Sequence, residues 1–542
     1  FCLFFLSGNA LSAPKIPGLV TPGQIEKQFQ KQPQIRDSSG GPVVPLRQQQ
    51  IPEQAEKTRF ILKSVQLDGF SVLSPDEISE SYNDLVNEEV SLADIYRIAY
   101  ELTAKYRTKG YILSQVFVPV QQIKDGLVQL QAVEGFIDEV KIDALSKDKR
   151  GLVLAFAEKI KSTRPLTSMA LERYMLLIND LPGIKARAVL SRSEKTFAAA
   201  NLTIQAVESN YSGSLSLDNR GGRSLGPYRA FGSVTVDNVL GVFDSTTFQV
   251  VQSNDDELTY LYLSHEQQLG SEGGKILFDI SSTDSDPEEL AFIPLEQETE
   301  SQTINLNYSY PVLRSRNSNF YLRGGIRFHE SETSLFGIKI IEDKLRVLNL
   351  GLTYDFLDKS GGSNLFDAQV SQGLTGLGAS DEDDIFLSVL GAEVDFTKLN
   401  VFAARLQPIN NNWSVLTAFT GQFTNDTLLS PEQFSFGGIP FGRGYDPSEK
   451  VADNGTALKV ELQYKDKGPY QLYSFYDVGW VWNTDELPNE DNDHTDSFGI
   501  GANVSFGSNF SANFELAKPL NKDVAVEGNN DLRGYFGLTA FF

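Results

Sequence analysis

The stretch VELQYKD, residues 460–466, alternates apolar or aromatic side chains with polar or charged ones. Val460, Leu462 and Tyr464 fall on one face of a strand, and Glu461, Gln463 and Lys465 on the other, because successive strand side chains point to opposite faces. TYLYLSHE, residues 259–266, also splits into two unlike faces. A soluble β-sandwich would turn such apolar positions toward a shared core. A membrane barrel turns them toward lipid and keeps the polar face for water inside, which is the arrangement read here.

The pattern extends in both directions. From Tyr211 to Phe542 the helical period is lost, and alternating segments of about ten residues are separated by Gly/Asn/Asp turns. They include YSGSLSLDN (211–219), RAFGSVTVDN (229–238), KILFDISST (275–283), TINLNYSYP (303–311), FYLRGGIRFHE (320–330) and LRVLNLGLTYDF (345–356). About eleven precede a glycine-rich stretch, SFGGIPFGRGYDP (435–447), and about five follow it, ending in LRGYFGLTAFF (532–542). Sixteen is an even number, as a closed antiparallel barrel requires, and closure leaves no unpaired strand edge in lipid. The 36 Phe, 20 Tyr and 44 Gly suit aromatic girdles and tight turns.

Upstream the period changes twice. Residues 58–135 read strand, helix, helix, strand, strand. Ser74 and Glu77 form a capping-box pattern, and SLADIYRIAYELTAKYRTKG (91–110) repeats apolar residues at helical spacing until Gly110 stops it. Residues 136–208 run through the same order, with KRGLVLAFAEKI and SMALERYMLLINDLPG as the helices. Two copies of one small α/β unit account for both segments. Residues 14–57 are rich in Pro and Gln and enclose one short helix candidate, PGQIEKQFQKQ (22–32), which reads as a small helix on a tether. FCLFFLSGNALSA (1–13) reads as the tail of a secretory signal peptide. It contains Cys2, the one cysteine, so a mature chain would carry neither a disulfide framework nor a thiolate metal site.

The net charge of −24, from 71 acidic and 47 basic residues, repels phosphate backbones and argues against nucleic acid as a partner. Much of the acidity lies in SDPEELAFIPLEQETES (285–301), SDEDD (380–384) and NTDELPNEDNDHTD (483–496), which read as solvated loops. His265, His329 and His494 are scattered. There is no Gly-x-Ser-x-Gly elbow, His-Glu-x-x-His run or P-loop, so no enzyme, metal or cofactor is expected.

Two α/β repeats before a sixteen-stranded barrel, together with several specific runs, resemble the transporters of two-partner secretion. These are the hemolysin and filamentous-hemagglutinin exporters of the outer-membrane assembly superfamily. The resemblance rests on YRTKGYILSQVFVPVQQIKDGLVQLQAVEG (106–135), ERYMLLINDLPGIKARAVLS (172–191), SLDNRGGRSLGPYRAFGSVTVDNVLGVFDS (216–245), FGGIPFGRGYDP (436–447) and FYDVGW (475–480). It implies two POTRA domains (58–135 and 136–208), an outer-membrane barrel (209–542) and a signature loop at about 430–450 folded back into the lumen. The core of that loop matches Gly442, Arg443, Gly444 and Tyr445, with Gly442 standing where valine is common. By the resemblance, Arg443 pairs with Asp477 of the inner-wall motif Phe475, Asp477, Gly479. The helix at 22–32 resembles the family's lumen plug, and Phe542 a barrel-insertion signal.

The expected function is export of one large β-helical exoprotein, captured in the periplasm and passed unfolded through the pore. The expected setting is a monomer in outer-membrane lipid, inserted by the barrel-assembly machinery. The competing reading is a barrel insertase, a class that generally carries more POTRA repeats and no plug helix.

Overall fold

The computed structural model describes residues 20–21, 23–30, 33–35, 51–143, 145, 150–197, 199–287, 296–484 and 493–542. The leader expected at 1–13 and most of the tether lie outside them. Within the expected helix at 22–32, α1 is the four residues Gln24–Lys27, followed by turn residues.

The first repeat contains β1 (Arg59–Ile61), β2 (Ser64–Asp68), α2 (Pro75–Ser79), β3 (Glu89–Ser91), α3 (Leu92–Thr108), β4 (Gln115–Phe117) and β5 (Leu127–Val133). The order β2–β5–β4 makes a three-stranded sheet, with β2 parallel and β4 antiparallel to β5. Ser74 and Glu77 close a capping box on α2, and Ser91 with Asp94 does the same for α3. Ile95, Ile98, Leu102 and Tyr106 of α3 lie buried against Val128 and Leu130 of β5 in one core. The β1–β3 pairing adds a two-stranded sheet not foreseen from the period, because three-residue strands carry too little alternation to read.

The second repeat contains β6 (Phe136–Asp143), α4 (Arg150–Ser162), α5 (Ser168–Asn179), β7 (Ile184–Arg192) and β8 (Ala199–Glu208), with sheet order β6–β8–β7. Its core sets Val153, Phe156 and Ile160 of α4 against Leu177 and Ile178 of α5 and against Leu202 and Ile204 of β8.

Sixteen antiparallel strands then close a barrel. They are β9 (Tyr211–Asp218), β10 (Arg229–Asp237), β11 (Asp244–Ser253), β12 (Leu258–Leu269), β13 (Gly274–Ser285), β14 (Glu298–Arg314), β15 (Ser318–Leu335), β16 (Ile338–Leu357), β17 (Ser363–Gly373), β18 (Thr397–Pro408) and β19 (Trp413–Thr424). After the loop strands β20 (Phe434–Phe436) and β21 (Lys450–Ala452), the wall resumes with β22 (Asn454–Lys465), β23 (Tyr470–Trp482), β24 (Asp493–Phe506), β25 (Phe510–Pro519) and β26 (Arg533–Phe541). The seam between β26 and β9 runs from Gly537–Asp218 to Phe541–Ser214 and is extended by two main-chain bonds between Gly213 and Phe542, at 2.9 and 3.0 Å.

Val460 and Leu462 face outward while Glu461 is buried inside, so VELQYKD has its apolar face on the lipid side. The wall is taller than ten-residue segments imply: β14, β15 and β16 have 17, 18 and 20 residues. The acidic stretches account for part of the difference. β14 begins at Glu298 and β24 at Asp493, inside sequence that reads as loop. Glu298 and Glu300 point outward, opposite buried Thr299 and Ser301. A lipid-facing carboxylate is costly, so this part of the wall stands above the hydrocarbon band, which starts at outward Ile304 and Leu306. Among the described residues no helix is long and apolar enough to cross a membrane.

Candidate functional site

The lumen is occupied by two pieces of chain. The first is the segment between β19 and β22, residues 425–453. It turns inward instead of rising away from the rim, and its two short strands, β20 and β21, pair with each other. The glycines allow this in two ways. Gly442 has φ +90°, in the left-handed region, and a Cβ on it would lie 2.6 Å from the Phe436 ring. Gly444 runs so close to the wall that a Cβ would meet Ser497 Cβ at 2.8 Å.

Arg443 sits between them, 5% exposed. Its Nε donates to Asp477 Oδ2 and its Nη2 to Asp477 Oδ1, both at 2.9 Å. The main-chain N–H groups of Gly442 and Arg443 donate to the same carboxylate at 3.2 and 3.1 Å. Nη1 donates to Glu461 at 2.6 Å and lies 3.8 Å from Glu515. The guanidinium carbon is 3.5 Å from the centre of the Phe475 ring. A planar, five-donor head suits this cage, which combines a fork on one carboxylate, a single bond to another and an aromatic face.

Phe475, Asp477 and Gly479 share the inward face of β23, and each meets the loop. Phe475 lies against the guanidinium, Asp477 takes its fork, and Gly479 receives the Phe436 ring, which a Cβ there would meet at 2.3 Å. Tyr445 is buried, and its hydroxyl donates to the Asp496 carbonyl at 3.1 Å. Arg533 of β26 donates to Asp446 at 2.5 Å. Phe542 lies outside this cage, at the seam with β9, its ring beside Gly213.

The second piece is α1. Glu26 accepts from Ser281 at 2.6 Å and from Thr303 at 2.7 Å, on the walls of β13 and β14. Gln24 donates to the Ser430 carbonyl at 2.5 Å, and Lys27 donates to the Gln433 carbonyl. Val20 and Ile25 pack on Leu225 and Leu258, and the Phe29 ring lies 4.7 Å from that of Tyr260. Glu432, beneath the helix, is fully buried between Lys398, at 2.7 Å, and Arg327. His329 is buried with its Nδ1 2.8 Å from the Thr303 hydroxyl. Among the described residues no group of three or more His, Cys, Asp or Glu could hold a metal ion.

The second repeat docks on the periplasmic rim. Arg314 at the end of β14 forks onto Asp180 at 2.7 and 2.8 Å, and Arg173 donates to the Pro311 carbonyl at 3.0 Å. Glu272 accepts from Tyr174 at 3.3 Å and pairs with Lys159 at 2.7 Å.

Glu461, Glu515, Glu432, Lys398 and Arg327 were not singled out from the sequence. Alternation marks Glu461 as inward-facing, but its place opposite Phe475 follows from the β22–β23 register, which no local motif specifies.

Comparison with known proteins agrees with this architecture. Residues 200–506 match the family described as "Haemolysin secretion/activation protein ShlB/FhaC/HecB", and residues 60–135 match the ShlB-type POTRA domain. The heme/hemopexin transporter protein HuxB of Haemophilus influenzae is 24% identical over 83% of this chain and 81% of its own. The outer membrane transporter CdiB of Escherichia coli is 23% identical over 90% of this chain and 84% of its own. The solved structure of CdiB from Escherichia coli superposes with a TM-score of 0.73 at 20% identity, covering 91% of this chain and 92% of that one.

Proposed function

The chain belongs to the haemolysin secretion/activation family of ShlB, FhaC and HecB, and from that membership we propose that it exports one large partner protein across the outer membrane. The barrel spans that membrane, and the α/β repeats lie in the periplasm. The partner is a β-helical exoprotein whose N-terminal secretion domain is captured by the repeats, where exposed sheet edges accept an extended chain by strand addition. The polypeptide then crosses the lumen unfolded and folds outside, and that folding supplies the direction. No catalytic step or cofactor enters this scheme. The transporter works as a monomer in outer-membrane lipid, inserted by the barrel-assembly machinery.

The observation that carries this reading is the seating of α1. The lumen holds a four-residue helix through a few side-chain hydrogen bonds and one small apolar cluster, and that helix precedes the repeats in the chain. Such a plug can leave without unfolding the wall.

The test is co-expression with a neighbouring exoprotein gene and assay of the medium with and without this chain. Export that depends on the chain supports the proposal and identifies the cargo. Unchanged export, with loss of other outer-membrane barrels on depletion, would replace it with an insertase.

A further inference from the structure

A cap lies against the inward side of the barrel wall. Residues 374–396, between β17 and β18, fold over the inward side of the wall. Ala392, Val394 and Phe396 pack with Leu345 and Val347 of β16 and with Leu428 and Leu429 at the start of the inward loop, and all are 2% exposed or less. Polar contacts hold the cap as well. Arg346 donates to the Leu377 carbonyl at 3.0 Å, and the Glu393 N–H donates to the Thr427 carbonyl at 2.9 Å.

The cap and α1 meet on one short turn, Ser430–Glu432, and its neighbour Gln433. On the cap side, the Ser430 N–H donates to Ser388 Oγ at 3.0 Å, and the Ser388 N–H donates to the buried carboxylate of Asp343, also at 3.0 Å. From α1, Gln24 holds the Ser430 carbonyl, Lys27 holds that of Gln433, and Gly23 lies against Pro431. The wall steadies the turn from below: Lys398 and Gln422 both donate to the Glu432 carbonyl, at 2.6 and 2.8 Å. The two peptide groups of Ser430 therefore serve opposite partners, one its N–H and the other its carbonyl.

We propose that Ser430–Gln433 is a shared seat, with Ser388 and Asp343 as positioning residues for the plug, so that unseating α1 loosens the cap and lifting the cap loosens α1. Plug and cap then open as one event. Coupling of this kind is reciprocal by thermodynamic necessity. It rests on the reading of α1 as a removable plug.

The test places single cysteines at two buried positions in a Cys2→Ser background. Ile25→Cys reports on the helix and Val394→Cys on the cap, and both are read by the rate of maleimide labelling in outer-membrane fractions. Ser388→Ala, with Asp343→Asn as a second cap variant, should speed labelling at position 25. Gln24→Ala with Lys27→Ala should speed labelling at position 394. Each rate should rise about fivefold or more, the lower end of a coupled pair of sites. Heat-modifiable gel migration verifies that each barrel is folded, and whichever cap variant folds is used. Protection of Ile25→Cys in the unperturbed chain, with neither rate responding to the change across the seat, would overturn the shared seat and leave the plug reading intact. Rapid labelling of Ile25→Cys in the unperturbed chain would overturn both.

Discussion

Arg443 answers to three carboxylates rather than one, and this decides how its variants should behave. Arg443→Ala leaves Asp477 buried with no compensating guanidinium, a change that costs about 3–5 kcal/mol when a buried charge loses its partner, while Glu515 keeps Arg220 at 2.7 Å. Arg443→Lys keeps the charge but cannot reproduce the fork on Asp477 together with the bond to Glu461. We expect the folded fraction on heat-modifiability gels, and export with it, to fall in the order wild type, Lys, Ala. Arg443→Asp should fall lowest, because it adds a fourth carboxylate to the cage. Combining Arg443→Asp with Asp477→Arg should recover part of the loss, since Glu461 and Glu515 remain to receive the new guanidinium. Equal behaviour of all the variants would return Arg443 to an ordinary loop residue. At this scale Arg443 and Asp477 were legible through the family resemblance, which matches both motifs; residue type alone marks the glycines that let the loop turn inward and an arginine that needs a partner there. Glu461 and Glu515 were not, because a carboxylate on a barrel strand is common and its neighbours across the lumen depend on register.

Elements were read with uneven success, for a physical reason. α3 and the wall strands repeat their period over many residues, and the structure has an element at each, though β14, β15, β16 and β24 run past the ends the period marks. β1, β3, β20 and β21 have three residues each and exist because a partner strand is adjacent, which local sequence does not encode. One polar contact holds the first repeat between elements. The Glu134 carboxylate, just after β5, accepts from the Ser71 and Val72 N–H groups at 2.7 and 3.0 Å and from the Tyr106 hydroxyl of α3 at 2.6 Å. Burial pushes this carboxyl up, but the hydrogen bonds from Ser71, Tyr106 and the two amides outweigh it and leave it below its usual 4.5. A carboxyl lowered on folding stabilises fully above pH 4.5 and loses that contribution as the pH falls through the lowered value. Hydrogen exchange on the full chain, corrected for intrinsic rate, should show Ser71 and Val72 losing protection below pH 4.5. In Glu134→Gln their protection should be weaker and nearly independent of pH over that range.

The whole molecule is a closed wall with a helix, an inward loop and a cap packed inside it, and the second repeat is held to it at one sector. The fork of Arg314 on Asp180, with Glu172 accepting the Arg316 N–H at 2.6 Å, lies at the turn between β14 and β15. Arg314→Ala should leave the barrel folded but loosen the repeat. Spin labels at Lys161 and on the far rim should then give a broader distance distribution than in wild type, and an unchanged distribution would mean that the remaining contacts, Lys159 on Glu272, Arg173 on Pro311, Leu177 on Gly273 and Phe243 in the repeat's core, are enough. At this scale strand number and domain order were legible because they follow from counting periods. The docking was not, because no local pattern in the sequence specifies which surfaces of separate units meet.

The seam between β9 and β26 has a consequence for assembly. Every other neighbouring pair in the wall except β19 and β22 is consecutive in sequence, joined by a turn or loop, so its loop-closure entropy is small. The seam alone joins residues 213–218 to residues 537–542, across the whole barrel sequence. It is the contact of highest contact order in the wall and the slowest to find. The sheet therefore grows as an open ribbon with two unsatisfied borders, and the ring exists only once the β26 segment has been made and has found β9. A chain arrested anywhere earlier remains a ribbon with free edges, which makes ring closure the step that distinguishes finished transporters from unfinished ones.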